Sequence, residues 1–482
     1  MNMAVDVPNR LFIEGQWQAS TGSTTFAVHD PASGRVIAEV ADASPADAVR
    51  ALDSAYAAGE EWGKTPARVR SGILLRTYEL VLEHADEIAE LITLEMGKPL
   101  SESVAEVRYG SEFLRWFAEE AVRVGGRTGT TPEGTGAMLV THRPVGPCYL
   151  ITPWNFPLAM ATRKIGPALA AGCTAVIKPA ALTPLTTLYL VSLFEQAGLP
   201  AGVLSAIPST QSAAVSEALM QDPRLRKISF TGSTGVGRVL LKQAADNILR
   251  TSMELGGNAP FLVFDDADVD AAVEGAMIAK FRNVGQACTA ANRFLIQEGI
   301  YDAFIEKLAG KVSALKVGPG LDPATDIGPL IDEGAVRRIG DLVEQAVEAG
   351  GHEIVGGPRT GGGAYFPPTV VTDVPTDSRL YREEIFGPVV SVTKFRTEEE
   401  AVDLANGTEY GLAAYVYTAD LSRGHRLMAS IDAGMLGVNS GSISNPAAPF
   451  GGTKQSGVGR EGGSEGIHEY LDVKYAFVPD SR

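Results

Sequence analysis

Short apolar runs of β character alternate with stretches of helical spacing through the middle of this chain. That alternation constrains the fold more than any other feature. Ala175-Val176-Ile177 reads as a strand, 184–197 as a helix, Leu204-Ser205-Ala206-Ile207 as a strand, about 211–220 as a helix and Lys227-Ile228-Ser229-Phe230 as a strand. Strands joined by helical crossovers run parallel, so the rhythm predicts a doubly wound parallel sheet. A second alternation begins at Pro260-Phe261-Leu262-Val263-Phe264 and runs to about 440. The expected fold class is α/β with two doubly wound parallel-sheet domains and Glu254 at their junction. Clefts between domains are favoured ligand sites.

Outside these alternations, residues 10–42 read as short strands and turns. Ser44-Pro45-Ala46-Asp47 reads as a helix start, with Ser44 as N-cap and Pro45 at the first helical position. Apolar spacing is helical from about 65 to 123, with one break at Gly97-Lys98-Pro99. Residues 124–137 form a turn-rich connector, and strand material follows around Leu139-Val140 and Tyr149-Leu150-Ile151. The tail, Tyr470 to Val478, reads as a terminal strand far in sequence from either sheet, which suggests pairing with another subunit.

The balance of 41 basic against 58 acidic residues, a net charge of −17, argues against nucleic acid or an anionic membrane as partner. No apolar run is long enough to span a bilayer, and MNMAVDVPNRLF lacks the basic and apolar regions of a secretory signal. Three cysteines, Cys148, Cys173 and Cys288, do not make a disulfide framework, so a reducing cytoplasm is expected. None of His29, His84, His142, His352, His425 and His468 sits in a site motif, and no metal site is expected.

Two segments carry chemistry. Met253-Glu254-Leu255-Gly256-Gly257-Asn258 and Gly285-Gln286-Ala287-Cys288-Thr289 put a carboxylate and a thiol 34 positions apart, in settings rich in small residues. A thiol that attacks an electrophilic carbon, and a carboxylate that moves a proton or activates water, are the minimum for covalent catalysis. Upstream, Phe230-Thr231-Gly232-Ser233-Thr234-Gly235-Val236-Gly237 follows a strand and opens a helix, where backbone N–H groups suit a pyrophosphate. Its glycines match the dinucleotide fingerprint imperfectly, and a plain tight turn is the other reading. Glu254 lies 22 residues past Gly232, near where such folds carry a ribose-binding acid. Spacing alone does not separate that role from a catalytic one.

Seven segments in order settle more. Pro153-Trp154-Asn155-Phe156-Pro157, Lys178-Pro179, Phe230-Thr231-Gly232-Ser233, Glu254-Leu255-Gly256-Gly257, Gly285-Gln286-Ala287-Cys288, Glu384-Ile385-Phe386-Gly387-Pro388 and Pro449-Phe450-Gly451-Gly452-Thr453-Lys454-Gln455-Ser456-Gly457 together resemble the aldehyde dehydrogenase superfamily over nearly the whole chain. The resemblance implies a Rossmann-like cofactor domain (1–123 and 142–253), a catalytic domain (254–445) and a small oligomerisation element (124–141 and 465–482). It also implies a homodimer or homotetramer that oxidises a small-molecule aldehyde with NAD or NADP.

By that resemblance Cys288 is the nucleophile that forms a thiohemiacetal and then a thioester. Asn155 and the Cys288 backbone N–H hold the oxyanion, and Glu254 activates the hydrolytic water. Ile151, Thr152, Pro153, Trp154, Lys178, Pro179, Ala180, Ala181, Gly232, Ser233, Leu255, Glu384 and Phe386 contact the cofactor. Lys178 matches an adenosine-ribose contact, and Glu384 the acid that holds the nicotinamide ribose. NAD-preferring relatives often carry a glutamate where this chain has Ala181, so NADP is permitted here. Some relatives carry a second cysteine at the position of Ala290, and this chain cannot form that disulfide.

Within the family the stretches 162–173, Phe281-Arg282-Asn283 and Ser442-Ile443-Ser444-Asn445 resemble the succinate-semialdehyde-oxidising branch. The resemblance assigns Arg163, Arg282 and Ser444 to the substrate's far carboxylate, which suits charge-assisted donors. Succinate semialdehyde is therefore the expected substrate. Glutarate semialdehyde or an aliphatic or aromatic aldehyde is the alternative. A catalytically silent structural oligomer is the competing class. Arg163 and Arg282 could instead be structural ion-pair partners.

Overall fold

The computed structural model describes residues 7–357 and 363–480. Both alternations fold as parallel sheets. In the first, Leu204–Ala206, Ala175–Lys178, Cys148–Ile151, Lys227–Thr231 and Arg250–Glu254 lie side by side, all parallel. The chain winds outward from Cys148–Ile151 in one direction, then crosses back to start Lys227–Thr231 on its other side. A reversal of this kind opens a crevice beyond the carboxyl ends of the two strands that flank it.

The three central strands, Ala175–Lys178, Cys148–Ile151 and Lys227–Thr231, are buried on both faces, as a helix-covered parallel sheet requires. The sheet's edges depart from the parallel expectation. Leu11–Ile13 and Gln16–Gln18 form an antiparallel hairpin on one side, and Gly457–Val458 adds antiparallel to Arg250–Glu254 on the other. Edge strands with open N–H and C=O groups need cover, and here both termini of the chain supply it. The return of 457–458 to the first sheet lies outside the domain ranges expected from sequence.

The second sheet runs His352–Val355, Thr369–Thr372, Val389–Phe395, Ala291–Gln297, Ala259–Val263, Ala413–Tyr417 and Met435–Val438. All its pairings are parallel except the first. Phe261 anchors its core, with ring centroids 5.0 Å from Phe294 and 5.1 Å from Tyr417. Glu254 ends the last long strand of the first sheet, and Ala259 begins the first strand of the second.

The connector and tail differ from their sequence reading. Arg127–Thr130 is a strand, paired with Gly136–Pro144 as a hairpin. The tail strand Leu471–Pro479 pairs antiparallel along the other edge of Gly136–Pro144, from Leu471 opposite Pro144 to Pro479 opposite Gly136. Its partner is thus this same chain. Its own outer edge pairs with no strand among the described residues.

Four helices, Pro45–Lys64, Ala67–Glu83, Ala85–Met96 and Leu100–Ala121, complete the first half. Ser44 and Asp47 cap the first reciprocally. Gly97, at φ 94°, ends the third in the left-handed region that favours glycine.

Phe261→Ala removes the ring at the centre of the second sheet. It is expected to destabilise the protein by ~3–5 kcal/mol, read as a lower urea midpoint.

Candidate active site

The crevice is built from the segments that follow three adjacent strands. After Cys148–Ile151 the chain runs through Thr152 to Asn155 and enters the helix Pro157–Ala171. After Ala175–Lys178 it passes Pro179, Ala180 and Ala181. After Lys227–Thr231, Gly232 and Ser233 open the helix Thr234–Asp246, with Ser233 Oγ accepting from Val236 N. This helix starts hard against the Glu254 segment: a Cβ on Gly237 would meet Leu255 Cδ2 at 2.4 Å. Ile151, Thr152 and Lys178 are buried at the strand ends, while Ala180 and Ala181 are half-buried. Burial lowers the Lys178 ammonium to about 8, with Asp42 opposing.

A cavity of about 350 Å³ joins this crevice to the thiol. Pro153, Trp154, Asn155, Gly232, Ser233, Leu255, Cys288, Glu384 and Phe386 line it. These nine residues, drawn from both sheets, were all singled out in the sequence. Trp154 and Phe386 meet edge to face, centroids 5.4 Å apart. Glu384 Oε1 accepts from Gly257 N at 3.1 Å, and burial raises its carboxyl to about 7, with Gly257, Arg338 and Lys280 opposing.

Asn155 and the thiol loop are locked together. Asn155 Nδ2 donates to the Gln286 carbonyl at 2.9 Å, and Asn283 Nδ2 donates to the carbonyls of both Gln286 and Asn155 at 2.9 Å. Asn155 Oδ1 is buried without a hydrogen-bond partner among the described residues. Tyr415 Oη donates to the Thr289 carbonyl at 2.8 Å, just past Cys288. The backbone leading to the thiol is strained: Asn283, Val284 and Gly285 are left-handed in succession, at φ 56°, 60° and 73°. A β-branched residue such as Val284 is a true outlier there. Gly285 is required, since a Cβ would meet the Gly387 carbonyl oxygen at 2.3 Å.

Cys288 is partly exposed to the cavity. Burial pushes its pKa up to about 12. Glu384 and Glu254 add to the rise, and Arg163 and Arg282 oppose it. Glu254 is 2% exposed, and neither carboxylate oxygen accepts a hydrogen bond from the described residues. Burial and the nearby Glu461 raise its pKa well above the usual carboxylate range, against the pull of Arg163 and Lys164.

The three substrate candidates are treated differently. Arg163 is buried, its Nε 2.7 Å from Glu461 Oε2 and its guanidinium 4.0 Å from the Phe450 ring centroid. Lys164 shares the same carboxylate. Arg282 is half-buried, 5.4 Å from the Phe156 ring, and among the described residues it makes no ion pair. Ser444 is half-buried on the loop after Met435–Val438.

Thr231 and Gly256, which stand in the motif segments without an assigned role, also line the cavity, as do Met160 and Arg338, which sequence reasoning missed. Arg338 donates to the carbonyls of Glu384 and Ile385 at 3.2 and 2.6 Å, fixing the Phe386 loop. It sits mid-helix in Glu333–Glu348 with no local motif to mark it. Met160 follows Asn155 by little more than a helical turn, and that spacing was the available signal. Among the described residues no group of three or more His, Cys, Asp or Glu side chains is arranged to hold a metal ion.

Residues 17–476 match the model of the aldehyde dehydrogenase family. The chain is 56% identical to a succinate-semialdehyde dehydrogenase of Paenarthrobacter nicotinovorans, over 92% of this chain and 99% of the relative. It is 50% identical to a probable NADP(+) succinate-semialdehyde dehydrogenase of Sinorhizobium fredii, over 94% and 92%. The crystal structure of succinate-semialdehyde dehydrogenase from Burkholderia pseudomallei superposes with a TM-score of 0.98 at 46% identity, covering 100% of both chains.

A thiol held near 12 is almost wholly protonated at neutral pH. In the protein without ligands, the rate of Cys288 alkylation by iodoacetamide should therefore climb about tenfold per pH unit from 7 to 10 without levelling. A plateau below pH 9, followed by mass spectrometry, would contradict that environment.

Proposed function

The chain belongs to the aldehyde dehydrogenase family, and from that premise we propose that it oxidises succinate semialdehyde, or its near homologue glutarate semialdehyde, to the carboxylate with NADP or NAD. The observation that carries this reading is one cavity lined together by Cys288, Asn155, the 232–233 turn and Glu384. Glu254 is close enough to raise the pKa of that thiol.

The residues present fit a dinucleotide. A Cβ on Gly256 would meet Glu384 Oε2 at 3.0 Å and Thr234 Oγ1 at 3.3 Å, so glycine keeps this wall open. Ser233 heads a helix whose N-terminus faces the crevice, which suits a pyrophosphate. Lys178 and Ala181 lie at the adenosine end, and alanine there leaves no carboxylate to repel a 2′-phosphate. When bound, the nicotinamide accepts the hydride.

The chain's own residues account for the other steps. Cys288 gives its thiol proton to solvent water, Sγ bonds to the aldehyde carbon as the C=O π bond breaks, and the carbonyl oxygen becomes an oxyanion held by the Asn155 amide and the Cys288 backbone N–H. Loss of hydride from that carbon leaves a thioester on Cys288. Ionised Glu254 takes a proton from water, the hydroxide oxygen bonds to the acyl carbon, the C–S bond breaks with the thiolate leaving, and the proton on Glu254 passes to that thiolate while the product acid loses its own proton to solvent. Arg163 and Lys164 favour the ionised form of Glu254 that this step needs.

Arg282, with no ion pair among the described residues, anchors the substrate's far carboxylate with Ser444. Arg163, committed to Glu461, contributes positive potential from behind. The open edge of Leu471–Pro479, with Val473, Tyr475 and Phe477 exposed, supports assembly as a homodimer or homotetramer. Three free cysteines suit the cytoplasm. No described helix is long and apolar enough to cross a membrane.

The deciding experiment is a panel of succinate semialdehyde, glutarate semialdehyde, butanal and benzaldehyde, each with NADP and NAD. Arg282→Ala should raise KM for succinate semialdehyde ~10–100-fold, the loss of one charge-assisted hydrogen bond, and leave butanal little changed. Equal effects on both would remove Arg282 from the anchor. Cys288→Ala should bind the nicotinamide cofactor without reducing it. Glu254→Gln should accumulate the thioester in quench mass spectra, and normal turnover without accumulation would exclude Glu254 as base.

A further inference from the structure

Gly97-Lys98-Pro99 reads in the sequence as a mere break between helices, but the structure turns it into the root of a buried charge cluster. Lys98 is 0% exposed. Its Nζ lies 2.6 Å from Glu106 Oε2, 2.9 Å from the carbonyl oxygen of Asn155 and 4.0 Å from the centroid of the Phe156 ring. Glu106 Oε1 accepts from Leu158 N at 3.0 Å and Ala159 N at 3.2 Å, in the first turn of Pro157–Ala171. Lys98 and Glu106 thus grip the segment 155–159 from both sides, by its carbonyl and by its amides.

One turn before Glu106 on the same helix, Glu102 Oε2 accepts from Asn283 N at 2.6 Å, on the strained loop that leads to Cys288. Lys98 itself has little freedom. Leu100 N donates to the Gly320 carbonyl at 2.9 Å, and a Cβ on Gly97 would meet Pro329 and Pro31 within 2.8 Å.

A buried ammonium with one counter-charge is expensive to retain for stability alone, because well-packed apolar residues commonly do as well. We propose that Lys98, Glu102 and Glu106 are positioning residues that set the Asn155 amide against the Cys288 thiol, so that the start of the helix Leu100–Ala121 fixes the oxyanion hole. This rests on the reading of Asn155 and Cys288 as the reaction centre. The segment it grips and the loop it grips come from different sheets, and this helix start is bonded to both.

The test compares Lys98→Met, the charge-neutral double variant Lys98→Met/Glu106→Gln, and Glu102→Leu with a control, Lys227→Met. Lys227 is equally buried, bonded to Ser252 Oγ at 2.5 Å, but starts its strand at the edge away from the crevice. NADPH formation is followed in a single turnover with succinate semialdehyde and with the same compound deuterated at the aldehyde carbon.

The three cluster variants should slow the burst about tenfold or more, part of the ~10²–10³ that losing an oxyanion donor costs. They should also enlarge the isotope effect and leave NADP affinity unchanged. Lys227→Met should lower the melting temperature while keeping the wild-type burst and isotope effect. Cluster variants that lose melting temperature but keep both wild-type kinetic signatures would overturn the proposal. If the buried pair proves indispensable to folding, half-exposed Glu102→Leu decides the matter by the same two readouts. An inactive wild type would instead count against the reaction proposed above, not against the positioning role.

Discussion

The backbone carbonyl of Asn155 is the point on which the site depends. It accepts from Lys98 Nζ and from Asn283 Nδ2, while the Asn155 side chain donates to the Gln286 carbonyl. Asn155 follows a strand of the first sheet, and Gln286 precedes the first crossover return of the second. These bonds are buried, where a broken one leaves an unsatisfied polar group at full desolvation cost, about 1–3 kcal/mol. The two sheets cannot shift relative to each other at this level without breaking several at once. The cavity keeps its shape for that reason, and preorganised donors of this kind need no rearrangement when charge develops on a substrate oxygen.

Around that fixed point the charges are arranged so that the resting site is quiet. Burial and the neighbouring carboxylates hold Cys288 as a thiol, and burial with Glu461 shifts the Glu254 carboxyl upward, against the pull of Arg163 and Lys164. Burial also works against ionisation of Glu461, but Lys164 and Arg163 outweigh it and keep its pKa below the usual range. Two buried carboxyls with opposite preferences, one beside two cations and one without a partner, divide structural and chemical duty between them. Arg163 shows the consequence for specificity. Its Nε is turned to Glu461, whereas Arg282 makes no ion pair among the described residues, and for that reason the proposed anchoring of an anionic substrate is assigned first to Arg282.

The architecture was legible because parallel sheets demand long apolar strands at regular intervals, and such strands announce themselves. The edges were not. Gly457–Val458 and Gln16–Gln18 are too short for any periodicity, and the pairing of Leu471–Pro479 with Gly136–Pro144 spans more than 300 residues of sequence. Among site residues, those on glycine-rich turns were visible because close backbone approach restricts which residues can stand there. Arg338, Lys98 and Glu461 were not, since an ionisable side chain on a helix or loop usually points into solvent. Only burial, a property of the fold, distinguishes these three from the rest of their kind.

The left-handed run at 283–285 links fold and chemistry most directly. Left-handed non-glycine residues cost of order 1–3 kcal/mol each and persist only where the surroundings over-determine them. Here they are over-determined. Glu102 holds the Asn283 amide, the Asn283 side chain bridges two carbonyls, and Gly285 is pressed against the Gly387 carbonyl. The same bonds that sustain the strain also tie Asn155 to the thiol loop. A relaxed loop would have to give up the Asn283 bridge, and with it the constraint on the Asn155 carbonyl. The strained backbone and the fixed placement of Asn155 beside the thiol loop are therefore one structural solution, and neither is available to the chain without the other.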